Sequence, residues 1–206
     1  MYIPKLYRMD PDEATQFMAS YPFALLITVD AQRPVATHIP VEIHKRDGKL
    51  YATGHIAYGN MQKKTLDNNR DVLLIFHGPH AYMSSSWYTV DEVPTWDYLA
   101  VHAYGTARLL TRDELKAALD AMLTRYESDR EHGRLWQTFD PDLLEREMNG
   151  IVGLEIEITA IQAAAKMSQD RKDRDYQTIV SELEHLSDED AHRVAQWMRH
   201  RRPNVF

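Results

Sequence analysis

Three strand-like runs follow one another with only short breaks, and this excludes more fold classes than anything else in the chain. "FALLITVD" (23–30), "RPVATHIPVEIHK" (33–45) and "GKLYATGHI" (48–56) are rich in Val, Ile, Thr and Tyr, which suit a pleated, half-buried surface. Turn residues separate them: Asp30-Ala31-Gln32, then Asp47-Gly48, a dipeptide that favours the tight turn of a hairpin. Strands joined this closely run antiparallel, because a parallel pair needs a crossover of about a dozen residues.

The rest of the chain alternates less regularly. "DVLLIFHG" (71–78) reads as a buried strand, "YLAVHAYGTARLL" (98–110) as a strand bent or bulged at Gly105, and "IVGLEIEITAI" (151–161) as an alternating one. Helices are signalled at "DPDEATQFMAS", with Asp10 as N-cap and Pro11 in the first turn, and at "NMQKKTLDNN", with Asn60 as cap. "TRDELKAALDAMLTRYES" has a capping box, Thr111 with Glu114, and an apolar face of Leu115, Ala118, Leu119, Met122, Leu123 and Tyr126. "DPDLLEREMNG" forms a further helix ended by Gly150, and two more follow, "YQTIVSELEHL" and a last one capped by Ser187. Strands without helical crossovers, a helical excursion, one late strand and a helical tail imply a mainly β, α+β fold. An antiparallel sheet or small barrel with helices at its ends is the expectation.

Bulk properties narrow the function. Neither an apolar run of membrane-spanning length nor a basic-then-apolar leader is present among the 206 residues, so a cytoplasmic protein with no membrane partner is expected. The absence of cysteine excludes disulfides and thiolate metal sites. A net charge of −7 argues against a dedicated DNA-gripping surface, since such affinity comes largely from neutralised phosphates.

Several stretches carry candidate chemistry. "HGPHAYMSSSWY" (77–88) reads as a loop at a barrel rim; His77 and His80 have the H-x-x-H spacing, but the loop supplies no carboxylate to complete a metal site, and "SSS" lacks the frame of a hydrolase nucleophile. His80 and His102 are the nearest candidates for a general acid or base. "TGHIAYGNMQKK" (53–64) takes a strand through a glycine bend into a helix start with Lys63 and Lys64 close by, a pattern that suits phosphate as well as plain solvent exposure. "AKMSQDRKDR" (165–174) combines Lys166, Ser168, Gln169 and Arg171, which either clamp an anion or form a solvated charged turn. The arginine-rich end, "HRVAQWMRHRRP", is explained by cations complementing a helix dipole more simply than by DNA recognition.

Taken together, "ATHIP" (36–40), "GHIA" (54–57), "DVLLIFHGPHAYMSSSWY" (71–88), "VPTWDYLAVHAYG" (93–105), "IVGLEIEI" (151–158) and "KMSQDR" (166–171) resemble the PaiB family, described as FMN-binding negative transcriptional regulators. The resemblance runs from the N-terminal helix to about residue 185. It implies a six-stranded antiparallel Greek-key split barrel of the pyridoxamine-phosphate-oxidase-like type, a homodimer with flavin between the subunits. On that basis residues 1–175 would form the FMN-binding domain, with a helical insertion at about 111–149, and 176–206 a C-terminal helical extension. The phosphate would meet His55, Asn60, Lys63 and Lys64, while Lys166, Ser168, Gln169 and Arg171 would face the flavin from the partner subunit, with Ser85 and Trp87 at the rim of the cleft. A flavin-dependent oxidoreductase is the alternative activity, haem handling a more distant one, and DNA a partner that the acidic charge does not favour.

Overall fold

The computed structural model describes all of residues 1–206. Six strands, β1 (Phe23–Asp30), β2 (Arg33–Arg46), β3 (Lys49–Ala57), β4 (Asp71–Met83), β5 (Thr95–Leu109) and β6 (Ile151–Lys166), close into a barrel with hydrogen-bonded order β1-β2-β3-β6-β5-β4. Both hairpin turns hold two residues, Ala31-Gln32 between the paired Asp30 and Arg33, and Asp47-Gly48 between Arg46 and Lys49. All four have positive φ (43°, 76°, 52° and 76°), the mirror-image turn whose twist matches that of the flanking strands. After this three-strand meander, β4 returns to pair with the outer side of β1, which makes the spatial order β4-β1-β2-β3 of a Greek key. β3 pairs antiparallel with β6 over its whole length, from Leu50 opposite Ile158 to Ala57 opposite Ile151. The expected six-stranded antiparallel Greek-key barrel is the observed one.

Six helices accompany the sheet: α1 (Pro11–Ser20), α2 (Gln62–Asn68), α3 (Arg112–Glu127), α4 (Pro141–Asn149), α5 (Asp173–His185) and α6 (Glu189–Arg201). The caps follow from local chemistry. Asp10 Oδ1 accepts the Glu13 amide at 2.8 Å, and Thr111 and Glu114 form the reciprocal box. The start of α6 differs from expectation: Asp188, not Ser187, accepts the Asp190 amide, at 2.9 Å. Three strand limits differ as well. β4 runs on through "HGPHAYM", read above as loop, because Val72, Leu74, Phe76, Gly78, Ala81 and Met83 keep turning inward past the Gly-Pro pair. β5 passes straight through Gly105; the glycine answers a close approach, since a Cβ there would lie 2.4 Å from the Glu157 carbonyl oxygen. β6 continues over Ala163–Ala165, all buried.

The chain divides into two compact units. One comprises Met18–Phe76 and Ala103–Ile161 and is cored by Leu26, Ile56, Leu74, Phe76, Leu154 and Ile156, each 2% exposed or less. On α3 only Leu115 is buried; Ala118, Leu119, Met122 and Leu123 are half-covered and Tyr126 is exposed. The other unit comprises Met1–Phe17, His77–His102 and Gln162–Phe206. In it α5 and α6 pack through Tyr176, Ile179, Val180 and Leu183 against Ala191, Val194, Ala195 and Met198, and the Tyr176 hydroxyl donates to the Met198 carbonyl at 2.8 Å. Each fully buried branched side chain contributes roughly 1.5–3 kcal/mol.

Candidate functional site

Of the residues singled out above, His55, Asn60, Lys63 and Lys64 belong to the first unit, and Ser85, Trp87, Lys166, Ser168, Gln169 and Arg171 to the second.

In the first unit the bend after β3 is built by side-chain hydrogen bonds. Asn60 Oδ1 accepts the Gln62 amide at 2.9 Å and its Nδ2 donates to Thr37 Oγ1 at 2.9 Å, so Asn60 caps α2 while tying it to β2. The central residue of this network is Gln62, which the motif reading passed over. It is fully buried; its Nε2 lies within 3.2 Å of Leu26 O, Thr28 Oγ1 and Val35 O, and its Oε1 accepts the Thr37 hydroxyl. The amides of Lys63 and Lys64 are taken by the Asn60 and Met61 carbonyls. What the bend offers a ligand is therefore mainly its side chains. Lys63 Nζ sits 4.0 Å above the exposed Tyr58 ring, and neither Lys63 nor Lys64 has a carboxylate partner. His55 is opposite Gly153 on β6, and burial lowers its pKa, so its ring is neutral at pH 7. It lines a cleft of about 20 Å3 beside Leu115, Leu119 and Met122 of α3, room for one water and no ring compound.

In the second unit the turn after β6 is drawn together around one buried acid. Asp97 is 0% exposed; it accepts the Ser168 hydroxyl at 2.6 Å and lies 3.5 Å from Lys166 Nζ. Lys166 also donates to Thr95 Oγ1 at 2.5 Å and to the Trp96 carbonyl at 2.6 Å. Gln169 folds back on its own turn, accepting from the Met167 amide and donating to the Ala165 carbonyl. Arg171 stacks 4.4 Å over Tyr88 and pairs with Glu92, and its Nε has no hydrogen-bond partner. Ser85 and Trp87 form a single 3-10 turn fixed by Ser84, whose hydroxyl oxygen accepts the Ser86 amide. Burial pushes Asp97 up to about 6, and the Ser168 and Lys166 bonds oppose that rise. Sequence reasoning missed Asp97 too; the only signal was an acid amid aromatic, strand-like neighbours in "TWDYL".

The histidines do not assemble into a metal centre: no three His, Asp or Glu side chains gather as one. His77 and His80 meet edge to face at 4.9 Å, His80 Nδ1 is 3.4 Å from Asp190 Oδ2, and Trp96 and Tyr82 extend the same exposed aromatic surface. Burial lowers the pKa of both His77 and His102. At the C-terminal end, Arg199 pairs with Glu184, Arg201 with Glu13 and Arg202 with Asp173, so these cations are engaged within the chain.

A family model described as "Putative FMN-binding domain" matches residues 1–160. The chain is 44% identical over 199 residues to "Protease synthase and sporulation protein PAI 2" of Bacillus subtilis, which covers 96% of each protein. Among solved structures it is similar in fold to the flavocytochrome Anf3 from Azotobacter vinelandii (TM-score 0.62, 16% identity, 85% of this chain and 78% of that one). A second is the FAD and haem binding protein from Mycobacterium smegmatis (TM-score 0.59, 17% identity, 81% and 76%). No helix is long and apolar enough to cross a membrane.

Proposed function

Because this chain belongs to the PaiB family, whose domain model carries an FMN-binding description over residues 1–160, we propose that it binds flavin mononucleotide and acts as a negative regulator of transcription. The single observation that carries the reading is that match, on a six-stranded barrel with an open pair of cations at one bend. The ligand needs a partner for a phosphate dianion and a surface for a planar ring. Lys63 and Lys64 fit the first need, being cations with no acid to satisfy them, on a bend that Asn60 and Gln62 hold still. We assign the ring to a second copy of the chain, whose Ser85, Trp87, Lys166, Ser168, Gln169 and Arg171 would close the cleft. His55 would border the phosphate end as a neutral donor or acceptor. When bound, the flavin supplies one- and two-electron chemistry at its ring.

Regulation through direct DNA contact has little to build on. The chain is acidic overall, and the arginines of the last helical turns are neutralised by Glu13, Asp173 and Glu184.

Titration of the full chain with FMN, read as quenching of flavin fluorescence, tests the assignment. The double substitution Lys63→Ala and Lys64→Ala should weaken binding by roughly ten- to a hundredfold, the loss of one or two charge-assisted bonds. Undiminished affinity in the double variant would remove the phosphate from this bend.

A further inference from the structure

One buried acid reaches two residues of the turn at 166–171. Asp97 is the third residue of β5, yet both of its oxygens reach across to the end of β6, Oδ2 to the Ser168 hydroxyl and Oδ1 to the Lys166 ammonium. Ser168 sits at φ +51°, in the left-handed region that a residue other than glycine holds only when its surroundings over-determine it. The bond to Asp97 is the side-chain contact that does so. Gln169 cannot substitute, since both ends of its amide are engaged within the turn. A buried carboxylate is a poor way to add stability, because its desolvation offsets much of the attraction it gains. The account of Asp97 lies in what it orders.

We propose that Asp97 is the positioning residue of the ligand-binding turn: in its ionised form it fixes Lys166 and Ser168 in the arrangement that meets the flavin, without touching the ligand itself. This rests on the flavin-binding reading above.

The charge on Asp97 is the variable. With a pKa of about 6, roughly nine-tenths of Asp97 is ionised at pH 7 and about a tenth at pH 5. Lys166 and Asp170 face it from the turn, Tyr88 from the loop before β5, Tyr7 from the segment before α1 and Tyr176 from α5. The three tyrosines are raised above their ordinary value by burial and stay uncharged over this range. Protonation of Asp97 removes the counter-charge of Lys166 and frees the Ser168 hydroxyl.

FMN affinity of the full chain, measured between pH 5 and 8, tests this. The wild-type protein should bind roughly tenfold or more tightly at pH 7 than at pH 5, the scale of one lost charge-assisted bond. Asp97→Asn should bind at the weak level throughout, keeping only the pH dependence of the FMN phosphate itself, whose second pKa is about 6. A purely structural role would lower affinity without flattening the profile. Should Asp97→Asn fail to fold, Ser168→Ala, which removes the 2.6 Å bond along with a hydroxyl assigned to the cleft, must flatten the pH profile as well as weaken FMN. Wild-type affinity and an unchanged profile in either folded variant overturn the proposal. Should the wild-type protein bind no FMN, the function above fails, and hydrogen exchange still decides this inference. The amides of residues 167–171 should be protected at pH 7, loosen at pH 5, and be loose at both in Asp97→Asn; identical exchange in the two proteins refutes it.

Discussion

Replacing Gln62 with leucine would remove the polar centre of the bend while nearly preserving its volume. The Nε2 amine has two hydrogens for three acceptors, Leu26 O, Thr28 Oγ1 and Val35 O, so it supports two full bonds at a time. The Thr37 hydroxyl donating to Oε1 makes a third. At about 1 kcal/mol net for each, with strand carbonyls left unpaired, the gross loss is about 3 kcal/mol. The greater apolarity of leucine returns up to about 1 kcal/mol, because little cavity is created. A net loss of about 2–3 kcal/mol follows, equivalent to a fall of about 1–1.5 M in a urea midpoint read by tryptophan fluorescence. FMN affinity should fall in parallel, since α2 would no longer hold Lys63 and Lys64 in place. A folded Gln62→Leu protein whose stability is within about 0.5 kcal/mol of wild type would show that the network does not fix the bend.

Two further outcomes follow from the barrel. Gly105→Ala places a Cβ 2.4 Å from the Glu157 carbonyl oxygen and 2.7 Å from Ile156 Cγ2, where backbone must shift, so thermal unfolding should show a loss of about 1–3 kcal/mol. Arg46, foremost, and Arg108 hold the Glu155 carboxylate below its ordinary pKa of 4.5; its stabilisation is present above that value and is lost as pH falls through the lower folded one. Acid unfolding of Glu155→Gln should therefore show a shallower loss of stability below about pH 4.5 than wild type, and an equally steep limb would refute the linkage.

Much of the architecture is legible in short stretches, and the reason is locality. The two hairpins rest on dipeptides, the start of α3 on Thr111 and Glu114, and α1 on Asp10, each acting within three residues. The misreadings share the opposite cause. Gly78-Pro79 punctuates like a turn, yet burial of Ala81 and Met83 carries β4 past it, and the alanines that end β6 favour a strand only because their neighbours cover them. Gln62 and Asp97 were invisible for a related reason. Gln62 meets partners 25 to 36 residues away, and Asp97 meets Ser168 across 71. Nothing local marks either as different from a solvent-exposed polar residue. The segment "KMSQDR" was legible as a chemical group but not as a structure, since its cations already bond within the chain.

Sedimentation velocity of the purified protein mixed with FMN, followed at the flavin absorption band, tests the central claim most directly. The account predicts a flavin boundary moving with a species of twice the chain mass, one flavin for each chain. Flavin left behind as a free small molecule, while the protein sediments without it, would contradict it.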